Sequence, residues 1–230
     1  MRRRRGLFIA LEGGDASGKA TQARMLARAL RLEGRKVRMI SCPGYGTWSA
    51  VFVEKYLNGW FGTRAEVGPY AASMFYALDR KAMARKIEGW LAQGNIVIAD
   101  RFTESNRAFG IASLRGMRAW KAFDAWLTGF ESGIMGIPQP DLNVLLAVPS
   151  EVSFKLVLKK HPRKYLKRGK RDLHERMKGL QRRVLRSYLW LAEQHPKVWG
   201  VVDCAPRGIL LSKRYVHHAV MLVVWSKYRQ

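Results

Sequence analysis

The stretch GGDASGKAT, Gly13 to Thr21, sets one lysine and one carboxylate among three glycines. Glycine lets a chain curl tightly. The free N–H groups that open a helix, together with its dipole, favour a bound anion. Lys19 can then reach the outer phosphates of a nucleoside triphosphate. The pattern is nearly G-x-x-x-x-G-K-[ST], with Ala20 where a hydroxyl ordinarily meets Mg²⁺. Thr21 lies roughly 100° further around a helix, so it is no easy substitute. The expected phosphate-binding set is Gly13, Gly14, Asp15, Ala16, Ser17, Gly18, Lys19, Ala20 and Thr21.

A second constellation follows. PYAASMFYALDR puts Tyr76 and Arg80 at i and i+4, on one helix face. An aromatic plane beside a guanidinium suits a flat base, by stacking and hydrogen bonding. ADRFTESNRAF then sets Asp100 and Arg101 at the end of the apolar run NIVIAD. In open parallel sheets that end is where ligands bind. Asp100 is the candidate carboxylate for Mg²⁺, directly or through water, with phosphate oxygens and waters completing the shell.

These residues need a scaffold of short buried strands and crossover helices. The pattern predicts strands over Leu7–Leu11, Val37–Ser41, Asn95–Ala99, Leu142–Val148 and Val198–Asp203. Helices are predicted over Lys19–Glu33, ended by Gly34, and Tyr70–Gln93, opened by Pro69 and ended by Gly94. Further helices are predicted over Leu173–Glu193 and from near Ile209, the last turning Val216, Val220 and Val223 inward. The expected fold is α/β: a three-layer P-loop NTPase fold, a five-stranded parallel sheet flanked by helices, with a small basic lid. The lid, about residues 155–172, contains the run KKHPRKYLKRGKR. Residues 1–5 read as a basic tail and 6–230 as a single domain.

A chain of 48% hydrophobic residues has a globular composition. Its apolar runs, AVMLVVW included, are far short of the roughly 20 residues a membrane span needs. GLFIAL near the start leads into the phosphate loop, so it reads as a buried strand rather than a signal segment. Cys42 and Cys204 lack metal-type spacing, and a cytoplasmic, reducing setting is expected. Forty-two Lys and Arg against seventeen Asp and Glu give +25, a field that attracts nucleic acids or small polyanions alike.

The motifs LEGGDASGKATQ, P-x-Y-G at Pro43–Gly46, YLNGWFG, PYAASMFYALDR, ADRFTESNRAF, PDLNVLLAVP and KRDLHERM occur in this order. Together they resemble the thymidylate kinase family, over nearly the whole chain. The resemblance implies phosphoryl transfer from ATP to dTMP, with Mg²⁺, in a homodimer. It implies that Asp15 accepts from the dTMP 3′-hydroxyl, Tyr76 stacks on thymine and Arg80 donates to a thymine carbonyl. Arg101 would bridge the acceptor phosphate and the transferring group. Ser105 and Asn106 would contact the base, Phe109 would pack under the sugar and Tyr45 would lie near the acceptor phosphate. Some members carry an arginine after the loop aspartate; Ala16 stands there instead. A lid arginine is then expected, with Arg163, Arg168 and Arg171 as candidates, beside Asp172 and Glu175.

Ala20, Cys42, Gly44 and Ala147 depart from the family pattern. Gly44 removes a positive group commonly found near the acceptor phosphate. A kinase of another pyrimidine nucleoside monophosphate stays open as an alternative. So does a nucleic-acid-binding protein on a degenerate kinase fold. Retention of Asp15 and Asp100 speaks against the latter, because both would repel a phosphate backbone.

Overall fold

The computed structural model describes residues 5–159 and 170–228, without the side chains of 157–159, 170–177 and 228. In chain order the elements are β1 (Phe8–Glu12), α1 (Lys19–Leu32), β2 (Val37–Ser41), α2 (Val51–Leu57), α3 (Arg64–Ala92), β3 (Ile96–Asp100) and α4 (Thr103–Ile111). They continue with α5 (Met117–Thr128), β4 (Leu142–Ala147), α6 (Ser150–Lys159), α7 (Lys170–Gln194), β5 (Trp199–Asp203) and α8 (Lys213–Tyr228).

The five strands form one parallel sheet in the order β2-β3-β1-β4-β5. Strand β1 is buried throughout, so both its faces must be covered. Ile9 and Leu11 pack with Leu26 and Leu30 of α1 and with Val220 and Val224 of α8. Phe8 and Ala10 turn the other way, toward Ala77 and Ile87 of α3. Leu145 of β4 packs with Phe123 of α5 and with Val184 and Leu191 of α7. The period-two alternation of the strands thus creates the three expected layers. The strand order reverses at β1, which lies between β3 and β4. The crevice at those carboxyl ends is the switch point where doubly wound sheets bind ligands.

The element boundaries differ from the sequence expectation where a specific bond intervenes. Strands β1 and β3 each run one residue further, to Glu12 and Asp100, and register carries on to those ends through Glu12↔Leu145 and Ser41↔Asp100. Helix α3 begins at Arg64, because Thr63 and Glu66 form a reciprocal capping box. Gly68, at φ 71° and ψ 167°, then interrupts it, and Pro69 opens the longer run. The last helix begins at Lys213 rather than near Ile209. Ile209 is extended, and Leu211 N–H bonds to the Cys204 carbonyl. Val224, rather than Val223, completes the inward row of α8. Val223 packs over Gly200, where a Cβ would lie 2.2 Å from its Cγ1.

Helix α6 reaches into the segment expected as a lid, and α7 begins before that segment ends. Arg163 and Arg168 lie outside the described residues; Arg171, Asp172 and Glu175 fall in α7, where only their backbone is described. No described helix is long and apolar enough to cross a membrane.

Candidate active site

The loop after β1 curls through backbone conformations that glycine tolerates, with Gly13 at φ 144° and Gly18 at φ 92°. A Cβ on Gly13 would also sit 2.8 Å from the Leu146 carbonyl, so the sheet itself demands a glycine there. Ala16 holds φ 58° without that freedom. Ser17 and Lys19 are buried, while Ala20 is exposed on the first turn of α1. Lys19 Nζ donates to the Gly14 carbonyl at 2.6 Å and to Ser17 Oγ at 3.2 Å. Burial, then the Arg101 charge, lowers its pKa to about 7; Asp15, Asp100 and Glu12 oppose that shift. Thr21 N–H bonds to the Gly18 carbonyl, as a helix start requires.

Arg101 ties this loop to the rest of the crevice. It follows β3 at φ 66°, a left-handed conformation costly for a residue with a Cβ. Its guanidinium donates to the Gly13 carbonyl at 3.0 Å, to Ser105 Oγ at 3.0 Å and to Asp15 Oδ1 at 2.8 Å. Its carbon lies 5.2 Å from the centre of the Phe109 ring, a cation–π contact. Glu12 holds this turn from beneath. Its fully buried carboxylate accepts from the Phe102 N–H and from the hydroxyls of Ser105 and Tyr188. The Ser105 hydroxyl is therefore engaged within the protein, although Ser105 lines the cavity described next.

Beside Arg101 opens a cavity of about 460 Å³, a size suited to a small organic ligand. Asp15 and Arg101 stand on its wall with Tyr76, Arg80, Asn106 and Phe109, and Tyr45 also lines it. The two constellations read from the sequence therefore share one site. Burial pushes the Tyr76 phenol upward, so it stays neutral. Arg64 also borders the cavity, its guanidinium fixed on the Phe109 carbonyl and Ser113 Oγ.

Several residues of this arrangement went unread in the sequence. Gln181 of α7 grips Asp15 through both main chain and side chain. Asp79 is buried and accepts from the Gly44 N–H at 3.0 Å and from Ser49 Oγ at 2.8 Å, anchoring the Pro43–Gly46 loop. Glu131 is buried against Arg80 and Asn106. The available signal was a polar residue on an otherwise apolar helix face, as with Gln181 among Met177, Leu180 and Val184. Cys42 is buried, its thiol pushed up to about 12, which makes it chemically inert.

The residues present fit one divalent cation resting mainly on nucleotide oxygens. Asp100 is a partly exposed carboxylate at the end of β3, near enough to Lys19 to favour its charge. Glu12 is fully buried and already accepts three hydrogen bonds from protein donors. No cluster of three or more metal-binding side chains exists among the described residues. That donor set suits Mg²⁺, which keeps several waters and uses one or two carboxylates with substrate phosphates.

The thymidylate kinase family model matches residues 11–206. The thymidylate kinase of Mycobacterium tuberculosis (strain H37Rv) is 36% identical over 196 residues, 84% of this chain and 88% of that protein. The probable thymidylate kinase of Pyrococcus abyssi is 32% identical over 190 residues, 82% of this chain and 84% of the relative. Among solved structures, the thymidylate kinase of Candida albicans superposes with a TM-score of 0.71 at 21% identity, covering 97% of this chain and 93% of its own. That last likeness is one of fold.

Proposed function

This chain belongs to the thymidylate kinase family, and we propose that it transfers the γ-phosphoryl group of ATP to dTMP, giving dTDP and ADP. The observation that carries this reading is the Arg101 junction. One guanidinium binds the phosphate loop at Gly13 and Asp15, and the same residue lines the adjoining cavity. A group so placed faces both the donor phosphates and an acceptor in the cavity.

Phosphoryl transfer leaves the protein little covalent work; alignment and positive charge do most of it. The loop amides and Lys19 hold the donor phosphates. Arg101 bridges the acceptor phosphate and the transferring group. Asp15, on the cavity wall, accepts from the acceptor's 3′-hydroxyl. Tyr76 stacks on the base, Arg80 donates to a base carbonyl, and Ser105 and Asn106 belong to the base end. Phe109 packs under the sugar and Tyr45 stands by the acceptor phosphate. Asp100 would hold Mg²⁺, which when bound offsets the negative charge of the phosphates. A lid over about residues 155–172 supplies one of Arg163, Arg168 and Arg171 to the transferring group. We further propose a cytoplasmic homodimer.

A coupled assay of ADP release with dTMP, dUMP, UMP and dCMP tests this reading. Turnover is expected to be fastest with dTMP. Faster turnover of UMP would overturn it.

A further inference from the structure

Glu131 does not line the cavity, yet it touches two residues that do. It sits in the π-helical turn Gly129–Ile134, a rare geometry often found at functional sites. Glu131 is 1% exposed and Arg80 is 2% exposed. Arg80 Nη2 donates to Glu131 Oε1. Asn106 Nδ2 donates to the same oxygen at 2.9 Å and to the Ser73 carbonyl at 2.9 Å.

This geometry fixes the direction of the Asn106 amide. A carboxylate and a backbone carbonyl only accept, so the amide nitrogen must face both of them. Both of its hydrogens are then engaged, which leaves Oδ1, an acceptor, for the cavity that Asn106 lines. Arg80 offers only donors. The base end of the cavity therefore presents an acceptor next to a donor.

We infer that Glu131 is a positioning residue that sets this polarity and so selects pyrimidines showing an N–H beside a carbonyl. This inference rests on the reading of the cavity as the nucleoside monophosphate site. Thymine and uracil carry N3–H beside O4, complementary to Asn106 Oδ1 and Arg80. Cytosine carries a bare N3 beside an amino group, so acceptor would meet acceptor and donor would meet donor. Replacing Glu131 by an amide removes one of the two fixed acceptors and leaves the Ser73 carbonyl alone to hold the Asn106 amide, which weakens its orientation.

The test compares binding of dTMP and 5-methyl-dCMP by titration calorimetry without ATP. The two ligands share sugar, phosphate and methyl group and differ only on the N3 and C4 edge. The wild type is expected to prefer dTMP by roughly 100-fold or more, because mismatched buried polar groups are strongly rejected. In Glu131→Gln the preference should shrink by at least about tenfold, the loss of one charge-assisted bond. In turnover assays KM for dTMP should rise more than kcat falls. Glu131→Asp keeps the charge on a shorter arm and should give an intermediate preference; it also carries the test if the amide variant does not fold. Full wild-type preference in either folded variant, or equal binding of both ligands by the wild type, would overturn the inference. If the wild type binds dTMP selectively but transfers no phosphoryl group, the proposed reaction fails and this inference stands.

Discussion

Gln181 Oε1 accepts the Asp15 amide N–H at 2.9 Å, and Gln181 Nε2 donates to Asp15 Oδ2 at 2.9 Å. One side chain on α7 thus fixes both the peptide and the carboxylate at the centre of the phosphate loop. Gln181→Ala removes both bonds while Arg101 still holds Oδ1. Losing bonds of this kind costs about 1–3 kcal/mol, so kcat/KM should fall about 5- to 150-fold. Because Asp15 belongs to the loop and also borders the cavity, the fall should appear with either nucleotide varied. A loss confined to one substrate would show that Gln181 serves only one half of the site.

Arg101→Ala removes three side-chain hydrogen bonds and the contact with Phe109. If the guanidinium acts on the transferring group, kcat should drop about 100-fold or more, a barrier change of roughly 2.7 kcal/mol. Lys in its place keeps a charge but cannot span Gly13, Asp15 and Ser105 together, so it should recover little. Single-turnover rates at saturating dTMP and ATP make the measurement; an unchanged rate contradicts the role.

The loop was legible because its chemistry is local. Glycine spacing, Lys19 and the following helical period lie within a dozen or so residues. Tyr76 and Arg80 were legible for the same reason, as one helix face. Gln181 and Glu131 were not, because their partners lie 166 and 51 or fewer residues away in sequence. Asp79 shows the boundary within a single motif. It stands beside Arg80, yet its duty is to a loop 35 residues earlier. Periodicity marks such residues only as polar positions on a buried face; the packing of a distant element decides what they hold.

Burial lowers the Lys19 pKa to about 7, and this gives two opposite pH dependences. Donor phosphates favour the charged amine, so nucleotide binding should take up protons and weaken as pH rises from about 7 to 9. The folded protein without nucleotide behaves in the reverse sense. Between the folded value and the ordinary lysine value near 10.5, the unfolded chain binds more protons, so stability should rise with pH across that window. ADP titrations in two buffers of different ionisation enthalpy at pH 8 measure the uptake. Wild-type protein showing none, or Lys19→Met showing the same uptake, would sink the assignment.

Ala20 leaves the phosphate loop without its usual metal-side hydroxyl, and Asp100 is the carboxylate proposed to serve instead. Ala20→Ser should lower the Mg²⁺ concentration for half-maximal rate, and Asp100→Asn should raise it. The two shifts have opposite sign and are read from the same titration. A serine variant whose titration does not move would make the hydroxyl irrelevant in this site. An asparagine variant that does not move would remove Asp100 from the metal shell.

Gly110 packs α4 against α5 so closely that an added Cβ would lie 2.2 Å from Phe123 Cζ. Phe123 is fully buried, with Tyr70 and Trp126 against its ring, so it has little room to retreat. An alanine in a helix ordinarily stabilises relative to glycine. Here the overpacking should win and cost about 1–3 kcal/mol. For a chain of this size that lowers Tm by about 2–4 °C per kcal/mol. Gly110→Ala is read by thermal unfolding, and Phe123→Leu in the same background should recover part of the loss by clearing the ring. An unchanged or higher Tm in Gly110→Ala alone would mean that α4 and α5 are not held at this separation, and with them the walls that carry Asn106 and Phe109.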